Sequence, residues 1–176
     1  MIAYFVYNLN TYSGGAQQAL LLAKHLRKKI IFFNIENKNF SKWEYNNLIP
    51  IIDLPKKNIF YRFLIVIFYT FKYKIKVYHF HGLFLEMLIG VILRRKIILK
   101  TTLIGDDDFD LVKKRKLSWL FLYLIKHVDK NVVLSKKLYE INSRYIDKSK
   151  IKIIPNGVIV EQNPPQLFQK ENIFCF

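Results

Sequence analysis

The chain has 176 residues and one cysteine, Cys175. That length suits one domain with a full core, and the lone cysteine excludes both an internal disulfide framework and a cysteine-based zinc site. Its net charge is +16 and its hydrophobic share is 52%, which excludes a disordered tail and an ordinary acidic cytosolic enzyme.

Apolar runs and turn signals alternate between strand and helix character along the chain. Residues 1–7 form a first strand. The junction Ser13-Gly14-Gly15-Ala16-Gln17 leads into a helix over 15–28, with Ala16, Ala19, Leu20, Ala23 and Leu26 on one face. Strands at 30–34 and 49–54 follow, then a helix over 58–74 and a strand at 76–80 that carries His79-Phe80, with His81 at its end just before Gly82. Gly82 opens a helix to residue 94, and 96–101 is the next strand. The loop Leu103-Ile104-Gly105-Asp106-Asp107-Asp108-Phe109-Asp110 precedes one long helix to residue 127. A strand at 131–134, a helix that Ser135 caps and that runs to 145, and a strand at 151–154 complete the order. Pro155-Asn156-Gly157 ends the last strand. The connections at 36–47 and 161–171 read as flexible, the second carrying Pro164-Pro165 as a linker would.

Such alternation implies an α/β, Rossmann-like, doubly wound fold: a mainly parallel sheet of six or seven strands with helices on both faces. Ligands bind such sheets beyond the carboxyl ends of the strands, and the unusual residues collect there. Gly14 and Gly15 would offer backbone N–H groups at a helix start, suited to a phosphate or sugar oxygen, although a glycine pair also serves as a plain tight turn. His79 and His81 share a side of their strand by the two-residue period. His79 reads as a structural histidine under a loop, His81 as the candidate for function. No third ligand at metal spacing accompanies them, so no zinc site is expected.

Asp106, Asp107 and Asp108 admit three readings. They are a solvated loop with Asp110 capping the next helix, ligands for a divalent metal on a nucleotide diphosphate, or acceptors for sugar hydroxyls. Lys113, Lys114, Arg115 and Lys116 fall in the first turns of the expected long helix, where the macrodipole disfavours cations. With Trp119 and Tyr123 next to them, they fit an anionic membrane surface. Nucleic acid is not expected as the partner, because the aromatics lie within apolar helices instead of alternating with cations on a strand platform. The apolar stretches 59–71 and 117–125 are shorter than the roughly 20 residues that a membrane span requires. No cleavable leader follows Met1, which makes the cytoplasm the expected location.

Taken in order, five segments resemble the amino-terminal half of a GT-B glycosyltransferase, most like family 4 of the retaining enzymes. They are Ser13-Gly14-Gly15-Ala16-Gln17, Val77-Tyr78-His79-Phe80-His81-Gly82, Lys100-Thr101-Thr102 through Asp108, Val132-Val133-Leu134-Ser135, and Ile153-Ile154-Pro155-Asn156-Gly157-Val158. The resemblance implies a first Rossmann-like domain over 1–160. Residues 161–176 would then be a linker and the cut-off first strand, Ile173-Phe174-Cys175-Phe176, of an absent donor-binding domain.

It implies that Gly14, Gly15 and Gln17 face the phosphate or sugar of a nucleotide-sugar donor. His81, Thr101, Thr102, Asp106, Asp107 and Asp108 would line the cleft or acceptor pocket. Lys113, Lys114, Arg115, Lys116 and Trp119 would rest on the inner face of the plasma membrane, where a lipid-linked acceptor is presented. A saccharide is the other acceptor class, and surface polysaccharide synthesis in bacteria the implied setting. No cofactor or resident metal is implied. Many relatives carry Gly-Gly-Ala-Glu where Gln17 stands and a histidine near Thr101-Thr102, so no catalytic residue is assigned. With the family's paired donor-binding glutamates in the absent half, the chain is expected to be inactive alone and to need a separate carboxyl-terminal half. Two other readings stay open: a GT-A-like, metal-dependent transferase using Asp106 to Asp108, and a non-enzymatic basic module for membranes or partners.

Overall fold

The computed structural model describes residues 1–9, 14–26, 28–35 and 49–157. Ser13, Val158, the 36–47 and 161–171 connections and the 173–176 strand lie outside the described residues. Strand and helix alternate through β1 (Ile2–Tyr7), α1 (Gly14–His25), β2 (Ile30–Ile35), β3 (Ile51–Leu54), α2 (Ile59–Lys72) and β4 (Val77–His81). The second half runs through α3 (Met87–Ile92), β5 (Lys96–Thr101), α4 (Phe109–Val112), α5 (Ser118–Lys126), β6 (Lys130–Val133), α6 (Lys136–Asn142) and β7 (Ile151–Ile153).

All neighbouring strands pair in parallel, in the order β3-β2-β1-β4-β5-β6-β7. This is the Rossmann-like sheet that the sequence implies, with seven strands. The winding runs outward one way from β1 to β3 and the other way from β4 to β7. Because crossovers of this kind keep one hand, the two directions send their helices to opposite faces. One face packs Phe5, Phe33, Phe80 and Leu99 against α2 to α6. Phe5 stacks on Phe33 and Phe80 with ring centroids 4.9 and 4.4 Å apart. The other face sets Tyr4, Val6, Ile30 and Phe32 under the Ala16, Ala19, Leu20 and Ala23 stripe of α1. Short side chains on that stripe let the helix lie close to the strands.

Two helices differ from the sequence reading. The segment after Gly82 turns before it winds, because Gly82 sits at φ +104°, and α3 begins only at Met87. The long helix expected after the aspartate loop is two helices. Past Val112 the amides of Lys114, Arg115 and Ser118 bond carbonyls three residues back, and Leu117 adopts a left-handed φ of 62°. Lys113, Lys114, Arg115 and Lys116 therefore follow the carboxyl end of α4 instead of opening a helix. Cations are welcome there, so the macrodipole supplies no argument that an outside partner rewards them.

α2 is fixed at both ends. The Asn58 side chain accepts from the amide of Tyr61 at 3.0 Å, which caps its first turn. Arg62 reaches inward to Glu86, a fully buried carboxylate at the start of α3, and pairs with it through Nε and Nη2. Thr70 bonds both the Val66 carbonyl and the Tyr78 hydroxyl. Arg62→Met should destabilise the protein by about 3–5 kcal/mol in urea denaturation, because it strands the Glu86 charge. Adding Glu86→Leu should recover most of that loss; a neutral single substitution would show that the pair does not hold α2.

Candidate functional site

The winding reverses between β1 and β4, so the connections leaving these adjacent strands depart to opposite faces and open a crevice at the carboxyl edge. Gly14 and Gly15 flank it from the α1 side. Both lie in the first turn of α1, not in a turn ahead of it. A Cβ built on either would meet no described atom within 4 Å. Each glycine costs the helix about 1 kcal/mol relative to alanine, and no described packing asks for it. What the pair does provide is bare backbone in the first turn, at the positive end of a helix of twelve residues. Gln17 is exposed on the same turn.

His79, His81 and Lys100 form the other wall. His79 pairs in register with Tyr4 across β1 and β4, and His81 with Lys100 across β4 and β5. All point to the α1 side of the sheet by the two-residue period. The imidazoles lie 4.6 Å apart, and the Tyr4 ring is 4.8 Å from His79 and 5.6 Å from His81. Nε2 of His79 and both ring nitrogens of His81 are covered and find no hydrogen-bond partner among the described residues. Burial, then the charge of Lys100, pushes His79 down to about 4. His81 falls well below its ordinary 6.5 through burial, then through His79 and Lys100. Lys100 is itself lowered by burial, and burial pushes the Tyr4 phenol up to about 12. At neutral pH the wall therefore carries two neutral imidazoles, each with one donor and one acceptor nitrogen, beside one ammonium.

The segment after β7 closes the rim. Lys100 Nζ donates to Asn156 Oδ1 at 2.9 Å, and Gln18 Nε2 donates to the Gly157 carbonyl at 3.1 Å. The chain thus leaves the far edge of the sheet and returns across β5 to α1.

The remaining residues named from sequence make contacts of their own. Thr101 faces the opposite side of the sheet, fully buried, and its hydroxyl accepts from Asn142 at 2.9 Å. Asp107 holds its own loop, accepting from the Thr102 amide and hydroxyl at 2.8 and 3.1 Å and from the Leu103 amide at 2.7 Å. Burial raises its pKa against those bonds. Asp108 caps α4 through the Leu111 amide at 3.0 Å and also takes the Gly105 amide. Asp106 is exposed and receives Arg115, and Asp110 receives Arg144 and Tyr145. Asp107 and Asp108 are thus built into the loop, Asp110 ties α4 to Arg144 and Tyr145, and no three His, Cys, Asp or Glu side chains among the described residues are grouped to hold a metal ion. Trp119 and Lys113 to Lys116 are exposed on the surface.

Sequence reasoning missed Tyr4, Gln18, Lys100 and Asn156 as companions of His81. The one available signal was Lys100, a lysine inside the apolar strand Lys96–Thr101.

No family model matches the chain, and no curated protein does. Among solved structures it is similar to HepE from Anabaena, determined in complex with UDP and glucose. The TM-score is 0.65 at 12% identity, over 89% of this chain and 44% of HepE. The chain thus spans less than half the length of that protein. The likeness shows the fold, a parallel Rossmann-like α/β sheet.

Histidines depressed on folding make the unfolded state bind more protons below pH 6.5. Stability should therefore be fully present above about 6.5 and fall as pH drops toward about 4. His79→Phe should flatten that acid limb in thermal melts taken across the range; an unchanged limb would show that His79 is not the buried neutral group described.

Proposed function

We propose that this chain is the acceptor-side lobe of a glycosyltransferase that moves a sugar from a nucleotide-sugar donor to a saccharide or lipid-linked acceptor. The carrying observation is three covered imidazole nitrogens of His79 and His81, without partners among the described residues, beside Lys100 at the point where the winding reverses. Buried polar atoms without partners cost free energy, and a ligand with several oxygens would supply the missing partners. The likeness to HepE, whose structure holds UDP and glucose, supports this reading, and so does the open backbone at Gly14 and Gly15.

On this reading the α1 start receives a phosphate or sugar oxygen of the donor. His81 accepts a hydrogen bond from a sugar hydroxyl on one ring nitrogen and donates with the other. Lys100 keeps two further N–H donors after bonding Asn156, for an oxygen in the same crevice. The sequence pattern favours family 4 of the retaining enzymes and surface polysaccharide synthesis as its setting. A second lobe completes the crevice, since transfer gains its rate by orienting donor and acceptor and excluding water between two walls. The 176 residues by themselves are therefore proposed to bind without transferring at a useful rate.

The test is a titration of chain labelled at the histidine ring nitrogens, with UDP-glucose, UDP and glucose as separate probes. UDP-glucose or glucose should shift the His81 resonances, Lys100→Met should weaken that shift, and Gly15→Val should weaken the response to UDP. Resonances unmoved by all three probes, or rapid transfer by the isolated chain, would overturn the proposal.

A further inference from the structure

The helices on the second face of the sheet carry a feature that the crevice does not use. α2 is apolar all round, with no acid and only Arg62, Thr70 and Lys72 as strongly polar side chains. Arg62, Val66 and Thr70 face inward and are buried. The outward face is a stripe of Phe60, Leu64, Phe68 and Phe71, spaced four, four and three residues apart and exposed by 72%, 48%, 58% and 59%. A helix with apolar residues on both faces is expected where neither face meets bulk water. Here one face meets the sheet and the described chain leaves the other open.

Charge selects what covers it. Between Asp53 and Asp106 the only acid is Glu86, buried against Arg62, and none lies between Asp110 and Asp129. α3 packs between α2 and α5, so their shared outer layer presents no carboxylate of its own. Ile92 at the end of α3 and Trp119 on α5 add apolar bulk to it, exposed by 67% and 69%. Lysines bracket the stripe: Lys56 and Lys57 before α2, Lys72 and Lys74 at its end. The Lys72 ammonium lies 5.5 to 5.7 Å from the Phe68, Tyr69 and Tyr73 ring centroids, holding one cation beside the aromatics. A second copy of this chain would set lysine against lysine on a molecule of charge +16, so self-association through this face is disfavoured. An anionic lipid surface accepts both the rings and the cations.

We propose that α2 lies in the plane of an anionic bilayer, its Phe60-Leu64-Phe68-Phe71 stripe among the acyl chains and its lysines among the headgroups. The exposed ends of α3 and α5 widen the contact. Among the described residues no helix is long and apolar enough to cross a membrane, in keeping with an in-plane arrangement. The proposal moves the principal contact from Lys113–Lys116 to α2, and it does not rest on the sugar-transfer reading.

The full chain should be sedimented with phosphatidylcholine vesicles, with and without phosphatidylglycerol, at rising salt. Binding should need phosphatidylglycerol and weaken with salt. Phe60→Ser with Phe68→Ser should reduce partitioning by about tenfold or more while leaving the melting temperature unchanged, since both rings are exposed. Neutralising Lys113, Lys114, Arg115 and Lys116 to Gln should cost less than the double serine variant. Equal binding to vesicles without phosphatidylglycerol would overturn the proposal, as would unimpaired binding by the double serine variant. Concentration-dependent dimers that this variant dissolves, without vesicle binding, would assign the face to a second copy and overturn it equally. None of these failures would alter the His81 response to UDP-glucose, so the two readings fall separately.

Discussion

The reversal of winding between β1 and β4 is the constraint from which the other features follow. Right-handed crossovers place α1 on one face and α2 to α6 on the other. The alanine stripe of α1 covers β1 and β2, while the continuation of that face over β4 and β5 carries His79, His81 and Lys100. Polar side chains thus stand where helix cover gives way to the open carboxyl edge. The same reversal separates the α1 start from the loop after β4, and the gap between those departing backbones is where a ligand would reach both.

Two polar clusters in this sheet show what structure alone would have built. On the α2 to α6 face, Asn142 Nδ2 donates to the Thr101 hydroxyl and to Asn131 Oδ1, both at 2.9 Å, and Asn131 Nδ2 donates to the Leu99 carbonyl at 3.0 Å. Donor meets acceptor throughout, which is how a buried network ties strands to a helix at little net cost. On the α1 face, three imidazole nitrogens are covered and left without partners among the described residues, beside an ammonium that burial weakens. A sequence can satisfy such atoms cheaply, as Thr101 and Asn142 do. On the proposed reading, leaving them unmet among the described residues is stability given up for a ligand.

The legible part of the sequence was the part governed by local pattern. Continuous apolar runs gave the seven strands, with β5 at its exact bounds, because strands buried on both faces need no alternation to be recognised. Helix ends were less legible. Gly82 at positive φ delays α3, and Leu117 at φ 62° divides α4 from α5, although nothing in a leucine announces a left-handed residue. Parity hid the companions of His81. Lys100, Thr101 and Thr102 are consecutive, so neighbours point to opposite faces, and only pairing with β4 reveals that Lys100 accompanies His81 while Thr101 faces Asn142. What the aspartates do within their loop was not legible either. A run of acid in a basic chain looks like a binding surface, yet Asp107 and Asp108 each spend their oxygens closing one tight loop.

The two surfaces of the molecule meet through one buried ion pair. Helices that follow parallel strands begin at the carboxyl edge, so the first turn of α2, with Phe60 and Tyr61 exposed, lies at the same edge as the crevice. Arg62 in that turn reaches Glu86, which opens α3 only five residues beyond His81. A displacement of α2 would therefore be felt first in the loop that leaves β4. On the two proposals together, the helix resting on lipid and the loop beside the sugar share one rigid connection. An acceptor carried in the bilayer would then approach the crevice from its α2 side, along the shortest path between the two surfaces.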